Sequence, residues 1–507
     1  MSNTPQDRQR RQLLQGSGAL MAAGLLGTLQ GLQMRQAHAA TQFSNLVTGP
    51  YGALAPVNDL STGLPLLMLP AGFSYKSFGW TGDLMANGQP CPDRHDGMAV
   101  IQTRKVGRST EMVLVRNHER GTGAFASRIQ APGVYDDGTV GGATALGGTT
   151  NLVFRDGNWV SMAPSLGGTV VNCAGGLTPW GTWLSCEEIN SNAVSSTGKK
   201  HGYVFEVTAD PAQTTGQPIV GMGRFAHEAV AVDPATGIVY ETEDARNVSA
   251  FYRYVPNVPH GGVGSLAQGG RLQAARVVGR ANASLIVASI GDEVQLEWVD
   301  LANPDADITT AGTLSSLPPG TSTSTGCSGT FAQAWNLGGL QMSRGEGIWY
   351  HNGRMYVADT SVGVDGSNRP GRGDGAVWEL DLTTMKMKAI YVSSGQLVGN
   401  NPDNITVSPR GGILLCEDGG NSPDTYGPGS RVFGLTAAGD AYYFAKNNVT
   451  LTAQQIAAAG KSVSAGDFRD SEFCGACWDP SGRVLFVNMQ TPGITYAITG
   501  PWARGNQ

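Results

Sequence analysis

Charge is scarce in this chain: Asp, Glu, Lys and Arg make up 15% of its 507 residues, against a usual quarter. Beyond the first forty residues it has no basic cluster and no stretch apolar enough to span a bilayer. The first absence argues against nucleic acid as a partner; the second argues against a stable membrane anchor. Low charge here is not a mark of disorder, which goes with high charge and few aromatics, because the chain holds 10 Trp, 14 Tyr and 14 Phe. Glycine is what abounds, with 72 residues, about twice its usual share. At that density a helix bundle or coiled coil is excluded, since each helix-interior Gly costs roughly 1 kcal/mol. Such a composition reads as a large all-β protein with many turns.

The N-terminus reads as an export signal over residues 1–39. Arg10 and Arg11 precede an uncharged Gly/Ala/Leu-rich run, Gly16 to Leu32, and Ala37-His38-Ala39 supplies a small-x-small cleavage site. The paired arginines and the glycines within the run suit the twin-arginine machinery, which carries folded proteins. The expected location is therefore the periplasm or the exterior, with residues 40–507 as one catalytic domain acting as a monomer. Without residues 1–39 the formal charge moves from −6 to about −9, which fits a protein that holds several cations. Seven cysteines, at 91, 173, 186, 327, 416, 474 and 477, leave at least one thiol unpaired. Cys474-Gly-Ala-Cys477 stands alone, so a local disulfide or buried thiols are expected there rather than a redox or zinc site.

A repeat organises the remainder: a turn, an apolar strand, then an acid or Asn. Its copies end at Glu119, Glu188, Asp244, Asp359, Asp418 and Asn488. They are filled with strand-forming residues and several follow turns such as Asp233-Pro-Ala-Thr-Gly237. Spacings of about 55–70 residues, with one gap of about 115, suit four-stranded blades, and six or so of these close into a β-propeller. Helices should be few, Leu451–Ser462 being the clearest. Equivalent strands of a propeller end at one mouth, so the acids would crowd there. Their repulsion demands cations, and Asp, Glu and Asn oxygens are what Ca²⁺ takes.

Several chemistries lack their motifs. The His-Glu pairs at His118 and His227 are not followed by the second His of H-E-x-x-H, and there is no G-x-S-x-G elbow, P-loop or dinucleotide fingerprint. What stands out is Asn172-Cys173-Ala-Gly-Gly-Leu-Thr178-Pro-Trp-Gly181-Thr-Trp-Leu-Ser-Cys186-Glu187-Glu188. With Arg116-Asn-His-Glu119, Gly147-Gly-Thr-Thr-Asn151, Gly223-Arg-Phe-Ala-His-Glu228, Arg344-Gly-Glu-Gly347, Pro402-Asp-Asn404 and Phe486-Val-Asn-Met-Gln-Thr-Pro-Gly493, this segment resembles the PhoX-type alkaline phosphatases, in order, over nearly the whole mature chain.

The resemblance implies a six-bladed β-propeller with loop insertions and few short helices. It further implies Fe³⁺ and Ca²⁺ at the channel mouth, where small-molecule phosphate esters are hydrolysed. By this likeness Cys173 bridges two ferric ions, and Glu188, Glu228 and Glu346 are metal carboxylates. Asp403, Asp418, Glu119 and Glu472 are further metal candidates. Arg344, on the same side of an extended strand as Glu346, clamps the phosphate, and Lys200 is a second phosphate contact. His118 and His227 are read as supports for the adjoining glutamates. Gly345 departs from the family, which commonly has Pro there. Two alternatives stand beside the phosphomonoesterase: a calcium-dependent propeller lactonase or related hydrolase, and a non-catalytic, calcium-stabilised binding propeller. The lactonase gives Cys173 no role and Arg344 no anion to clamp; the binding propeller keeps the family's residues without turnover.

Overall fold

The computed structural model describes residues 42–507 apart from Ser422, so the expected export signal lies outside the described residues. Ser44–Gln507 form one unit, and strands joined by turns dominate it, as the glycine content requires. Two α-helices occur among the described residues. One, α1 (Gly329–Asn336), had no sequence signal: it opens on Gly and Thr, and it exists because Ser328 caps it and Phe331, Ala334 and Trp335 are buried. The other, α2 (Ala453–Ala458), falls inside the expected Leu451–Ser462 but is shorter, held by a capping box between Thr452 and Gln455.

Six antiparallel meanders follow one another, each opening with a pair of strands. The pairs are β1 (His95–Val106) with β2 (Ser109–His118), β3 (Asn172–Leu177) with β4 (Trp183–Glu187), and β5 (His227–Val232) with β6 (Val239–Glu243). They continue with β7 (Gly345–His351) and β8 (Arg354–Asp359), β9 (Pro402–Val407) and β10 (Ile413–Glu417), and β11 (Phe473–Trp478) and β12 (Val484–Met489). The first strands pack side by side in the cyclic order β1, β3, β5, β7, β9, β11 and back to β1, the propeller-like arrangement that the repeat predicts. The ring is closed by chain ends: Ser74–Phe78 pairs with Ile494–Thr499, the third strand of the β11–β12 sheet. The long gap between Asp244 and β7 holds strands Gly270–Val277 and Glu293–Asp300 with α1; they extend the β5–β6 sheet outward until Glu293–Asp300 pairs with Lys386–Val392 of the β7–β8 sheet, and they add no strand to the ring.

Apolar side chains from facing sheets fill the spaces between them. Where the β9–β10 and β11–β12 sheets meet, Tyr75, Trp80, Phe444, Leu485, Tyr496 and Ile498 are all essentially inaccessible, and each such burial is worth about 1.5–3 kcal/mol for an aliphatic or Phe side chain. Away from the site, local turn chemistry sets the hairpins: Asp479 accepts from Arg483 N at 2.6 Å and Val484 N at 2.7 Å, ahead of β12, with Gly482 at φ 65°.

Candidate metal centre

All six first strands carry a register shift near their start, after the first residue in five of them, between His95 and Met98, Asn172 and Gly175, His227 and Val230, Gly345 and Ile348, and Pro402 and Ile405, and after the second in β11, between Cys474 and Cys477. A bulge re-aims side chains. Here the residue it presents is the second of each strand, and these six, Asp96, Cys173, Glu228, Glu346, Asp403 and Cys474, line one cavity of 320 Å³.

The residue after each is small or bonded in place: Gly97, Ala174, Ala229, Gly347, Asn404 and Gly475. The strands leave no room for more. A Cβ on Gly97 would lie 2.4 Å from Ala174 Cα, and one on Gly475 would lie 2.4 Å from Asp96 O. The bulges free backbone groups that need partners, and second strands provide them. Asn117 Nδ2 donates to Cys173 O (3.1 Å) and Ala174 O (2.7 Å), Thr242 Oγ1 to Glu346 O (2.5 Å), and Asn488 Nδ2 to Asp96 O (2.6 Å).

A second tier comes from the residue just past each second strand. Its N–H donates to the carbonyl just before the paired first strand: Glu119 to Arg94, Glu188 to Val171, Asp244 to Ala226, Thr360 to Arg344, Asp418 to Asn401 and Gln490 to Glu472, at 2.8–3.2 Å. Five of these six donors line the cavity; Thr360 instead hydrogen-bonds Pro402 O. The entry residues Arg94, Val171, Arg344 and Asn401 are left-handed, at φ 53°, 51°, 63° and 54°, a conformation disfavoured for non-Gly side chains and kept where surrounding structure enforces it. Arg94 and Arg344 occupy equivalent positions three strands apart in the ring of six, and both line the cavity.

Alternation along a strand separates the paired acids. Glu188, Asp244 and Asp418 face the cavity, while the neighbours before them brace the walls. Glu187 accepts from His201 Nδ1 (2.6 Å), Gly202 N (2.7 Å) and Val170 N (2.8 Å). Glu243 accepts from Tyr252 Oη (2.6 Å) and Ser328 Oγ (2.5 Å), and Glu417 pairs with the fully buried Arg431 at 2.8 Å. His118 and His227 are likewise buried off the cavity; His118 bonds Asp93 O and Thr150, and His227 bonds Gly223 O.

The cavity thus gathers nine carboxylic groups, two thiols and two guanidiniums. Burial, reinforced by neighbouring carboxylates, pushes Asp96, Glu188, Glu228, Glu346 and Glu472 far above the usual carboxylate range, and Glu119 and Asp403 to about 7. The Cys173 thiol is raised by burial and then by Glu228 and Glu188. Acids this crowded hold either protons or cations. Four triads have ligand atoms within 4.8 Å of one another: Cys173–Glu188–Glu228, Glu228–Glu346–Asp403, Asp96–Glu119–Glu472 and Asp403–Asp418–Glu472. The first offers a soft sulfur with carboxylates, a donor set that suits a transition metal, and the others offer oxygen alone, the donor set of hard cations such as Ca²⁺.

Every metal candidate read from the sequence lines this cavity. Arg344 does too, bound to Asp244 (Nε–Oδ1 3.0 Å, Nη2–Oδ2 3.1 Å) and Glu346 (2.7 Å). It meets Glu346 by a left-handed turn into β7, not by the extended-strand alternation expected. Lys200 lies apart: it is not among the lining residues, and its ammonium sits 3.0 Å from Asp307 Oδ1, beside Arg224, which binds Asp305 at 2.7 Å and also pairs with Asp307. Cys474 and Cys477 are buried free thiols. Sequence reasoning missed Asp96, Cys474, Arg94, Asn404 and Gln490 as cavity residues, and left Asp244 as a strand ending. The signal was present as a first-strand repeat, His-Asp-Gly, Asn-Cys-Ala, His-Glu-Ala, Gly-Glu-Gly, Pro-Asp-Asn and Phe-Cys-Gly.

Comparison with known proteins agrees with this architecture. The family model described as alkaline phosphatase PhoX matches residues 49–165 and 161–493. No curated protein sequence matches. Among solved structures, the chain is similar to Pseudomonas fluorescens PhoX in complex with vanadate, a transition state analogue, at 17% identity and TM-score 0.58, covering 91% of this chain and 98% of that one. It also matches the PQQ domain of a pyranose dehydrogenase from Coprinopsis cinerea at 13% identity, covering 85% of this chain and 97% of that one, but the TM-score of 0.29 is too low to carry an argument.

Proposed function

The chain belongs to the PhoX family of alkaline phosphatases, and from that premise we propose that it is an exported phosphomonoesterase working at a mixed iron–calcium centre in the ring cavity. One observation carries the reading: six strands each deliver one ligand-type side chain to a cavity whose acids cannot all ionise without cations. Cys173, Glu188 and Glu228 would hold iron, with Glu346 and Asp403 completing a second position that shares Glu228. Asp96, Glu119, Glu472 and Asp418 would hold calcium. Cations held there would neutralise charge on the phosphoryl oxygens and lower the pKa of a water molecule, so that the hydroxide left by loss of its proton is the nucleophile at phosphorus.

The protein's own groups position the ester. Arg344 presents a guanidinium fork that Asp244 and Glu346 hold in place; exchanging one of these carboxylates for substrate gives a bidentate phosphate clamp. Arg94, its equivalent across the ring, is held by Gln490 at 2.8 Å and faces the same space. Buried Glu187, Glu243 and Glu417 keep the walls from shifting when the charge in the cavity changes. The twin-arginine export of residues 1–39 and a periplasmic or secreted location belong to the same proposal. The lactonase reading gives Cys173 no role and Arg344 no anion to clamp, and the position of both in the lining weighs against it; the binding-module reading keeps these residues without turnover, and the hydrolysis assay decides it.

Elemental analysis of the protein exported with its own signal, coupled to p-nitrophenyl phosphate hydrolysis, tests the proposal. The expected result is about two iron atoms per chain with additional calcium, and loss of iron and turnover together in Cys173→Ser. Full activity with calcium alone, or unchanged turnover in Cys173→Ser, refutes it.

A further inference from the structure

Two further arginines, Arg246 and Arg372, stand on segments bonded to the one that carries Arg344, outside the cavity lining itself. Arg246 lies two residues past Asp244, and its half-buried side chain is fixed: Nη1 donates to Ser361 Oγ (2.9 Å) and Gly371 O (3.1 Å). The same two residues bind the segment that carries Arg344, through Ser361 N to Ser343 O (3.2 Å) and Ser343 Oγ to Gly371 O (3.1 Å). Arg372 follows Gly371 directly. The charges that act on the Arg246 guanidinium are the cations Arg344 and Arg372 and the acids Asp244 and Glu346. Both acids are already engaged by Arg344, at 3.0 and 2.7 Å. Neither Arg246 nor Arg372 pairs with a carboxylate among the described residues, whereas Arg369 on the same loop is neutralised by Asp365 at 2.6 Å.

A half-buried guanidinium such as Arg246, set beside like charge, is unfavourable unless an anion joins it, and the planar forks of Arg246 and of the exposed Arg372 match phosphate oxygens. We propose that Arg246 and Arg372 form a second phosphate subsite on the cavity rim, and that the preferred substrates are phosphomonoesters carrying a second phosphate group. In this arrangement the ester being cleaved lies against Arg344, and the leaving alcohol directs its remaining phosphate to the rim. The inference rests on the phosphomonoesterase reading above.

The test compares kcat/KM for glucose 1,6-bisphosphate and glucose 1-phosphate in the metal-loaded protein and in Arg246→Gln, Arg372→Gln and the double variant. The wild type should favour the bisphosphate at least tenfold. Each single variant should lower that ratio about threefold and the double variant should abolish it, with raised ionic strength acting in the same direction. Arg372 is exposed, so Arg372→Gln keeps the test valid if Arg246→Gln fails to fold. A wild type that hydrolyses both esters without preference, or a preference untouched by the variants, overturns the subsite alone. A wild type that hydrolyses neither ester overturns the phosphomonoesterase reading, and the subsite with it.

Discussion

Replacing Gly97 by Ala should separate the positioning of the centre from the stability of the fold. The added Cβ would lie 2.4 Å from Ala174 Cα and 2.9 Å from Cys173 O, where contacting carbons rest at about 3.5–4.0 Å. Both atoms are backbone, so no rotamer change relieves the clash, and β1 and β3 must part by about 1 Å. Overpacking of this kind costs about 1–3 kcal/mol, a fraction of the roughly 5–15 kcal/mol available to a folded protein. The displaced residues are neighbours of Asp96 and Cys173, one on each side of the gap, and a misplacement of about 1 Å can cost on the order of 100-fold in rate. Gly97→Ala should therefore fold, melt a few degrees lower, and lose about 100-fold in kcat/KM on p-nitrophenyl phosphate together with part of its iron. Gly366→Ala is the control, since a Cβ there meets nothing within 4 Å and the residue is not left-handed. A Gly97→Ala protein with wild-type turnover and full metal content would show that ligand placement does not depend on the close approach of the first strands.

Chelation should make stability depend on pH with a definite sign. In the metal-free protein Glu119 and Asp403 titrate near 7, above their unfolded values of about 4. The folded state then binds more protons, so stability is greatest at low pH and is lost as pH rises from about 4 through 7. Calorimetry should show the melting temperature of the chelated protein falling over that range while the loaded protein stays nearly flat; a flat chelated curve counts against the crowding argument. Glu417→Gln should destabilise by about 3 kcal/mol, the lower end for breaking a buried ion pair, because Arg431 retains Asp424 at 3.4 Å. Urea unfolding measures it, and a loss under 1 kcal/mol would mean that Glu417 braces nothing.

What the sequence reveals of this architecture follows from how local each determinant is. Second strands are legible because their turns are: Asp233-Pro-Ala-Thr-Gly237 and Asp479-Pro-Ser-Gly482 fix hairpins within five residues, and the acids at the strand ends mark Glu119, Glu188, Asp244 and Asp418. First strands are harder to read. Their cavity residue alternates among Asp, Glu and Cys, and it points inward only because pairing with the second strand forces a bulge, a register property that no single segment encodes. Cys474 was obscured by its apparent C-x-x-C partner: in a bulged strand Cys474 meets the cavity while Cys477 joins the apolar core. Lys200 shows the opposite limit. Asp305 and Asp307, which hold its ammonium, lie more than a hundred residues away in a loop of the long insertion.

The ring also explains why metal and fold belong together. Asp96 and Glu119 come from the first sheet of the cycle and Glu472 from the entry to β11 in the last. These sheets meet through β1 and β11, and Ser74–Phe78, which precedes the first sheet in the chain, completes the last one by pairing with Ile494–Thr499. At that contact Glu472 and Glu119 share the Gln490 amide, which donates to both, while Asp96 adds a third buried acid whose repulsion pushes the two sheets apart. A cation held by the three would turn that repulsion into attraction across the closing contact. Closure by strand pairing within the last sheet and closure by charge between the last sheet and the first would then hold the same two ends of the ring together.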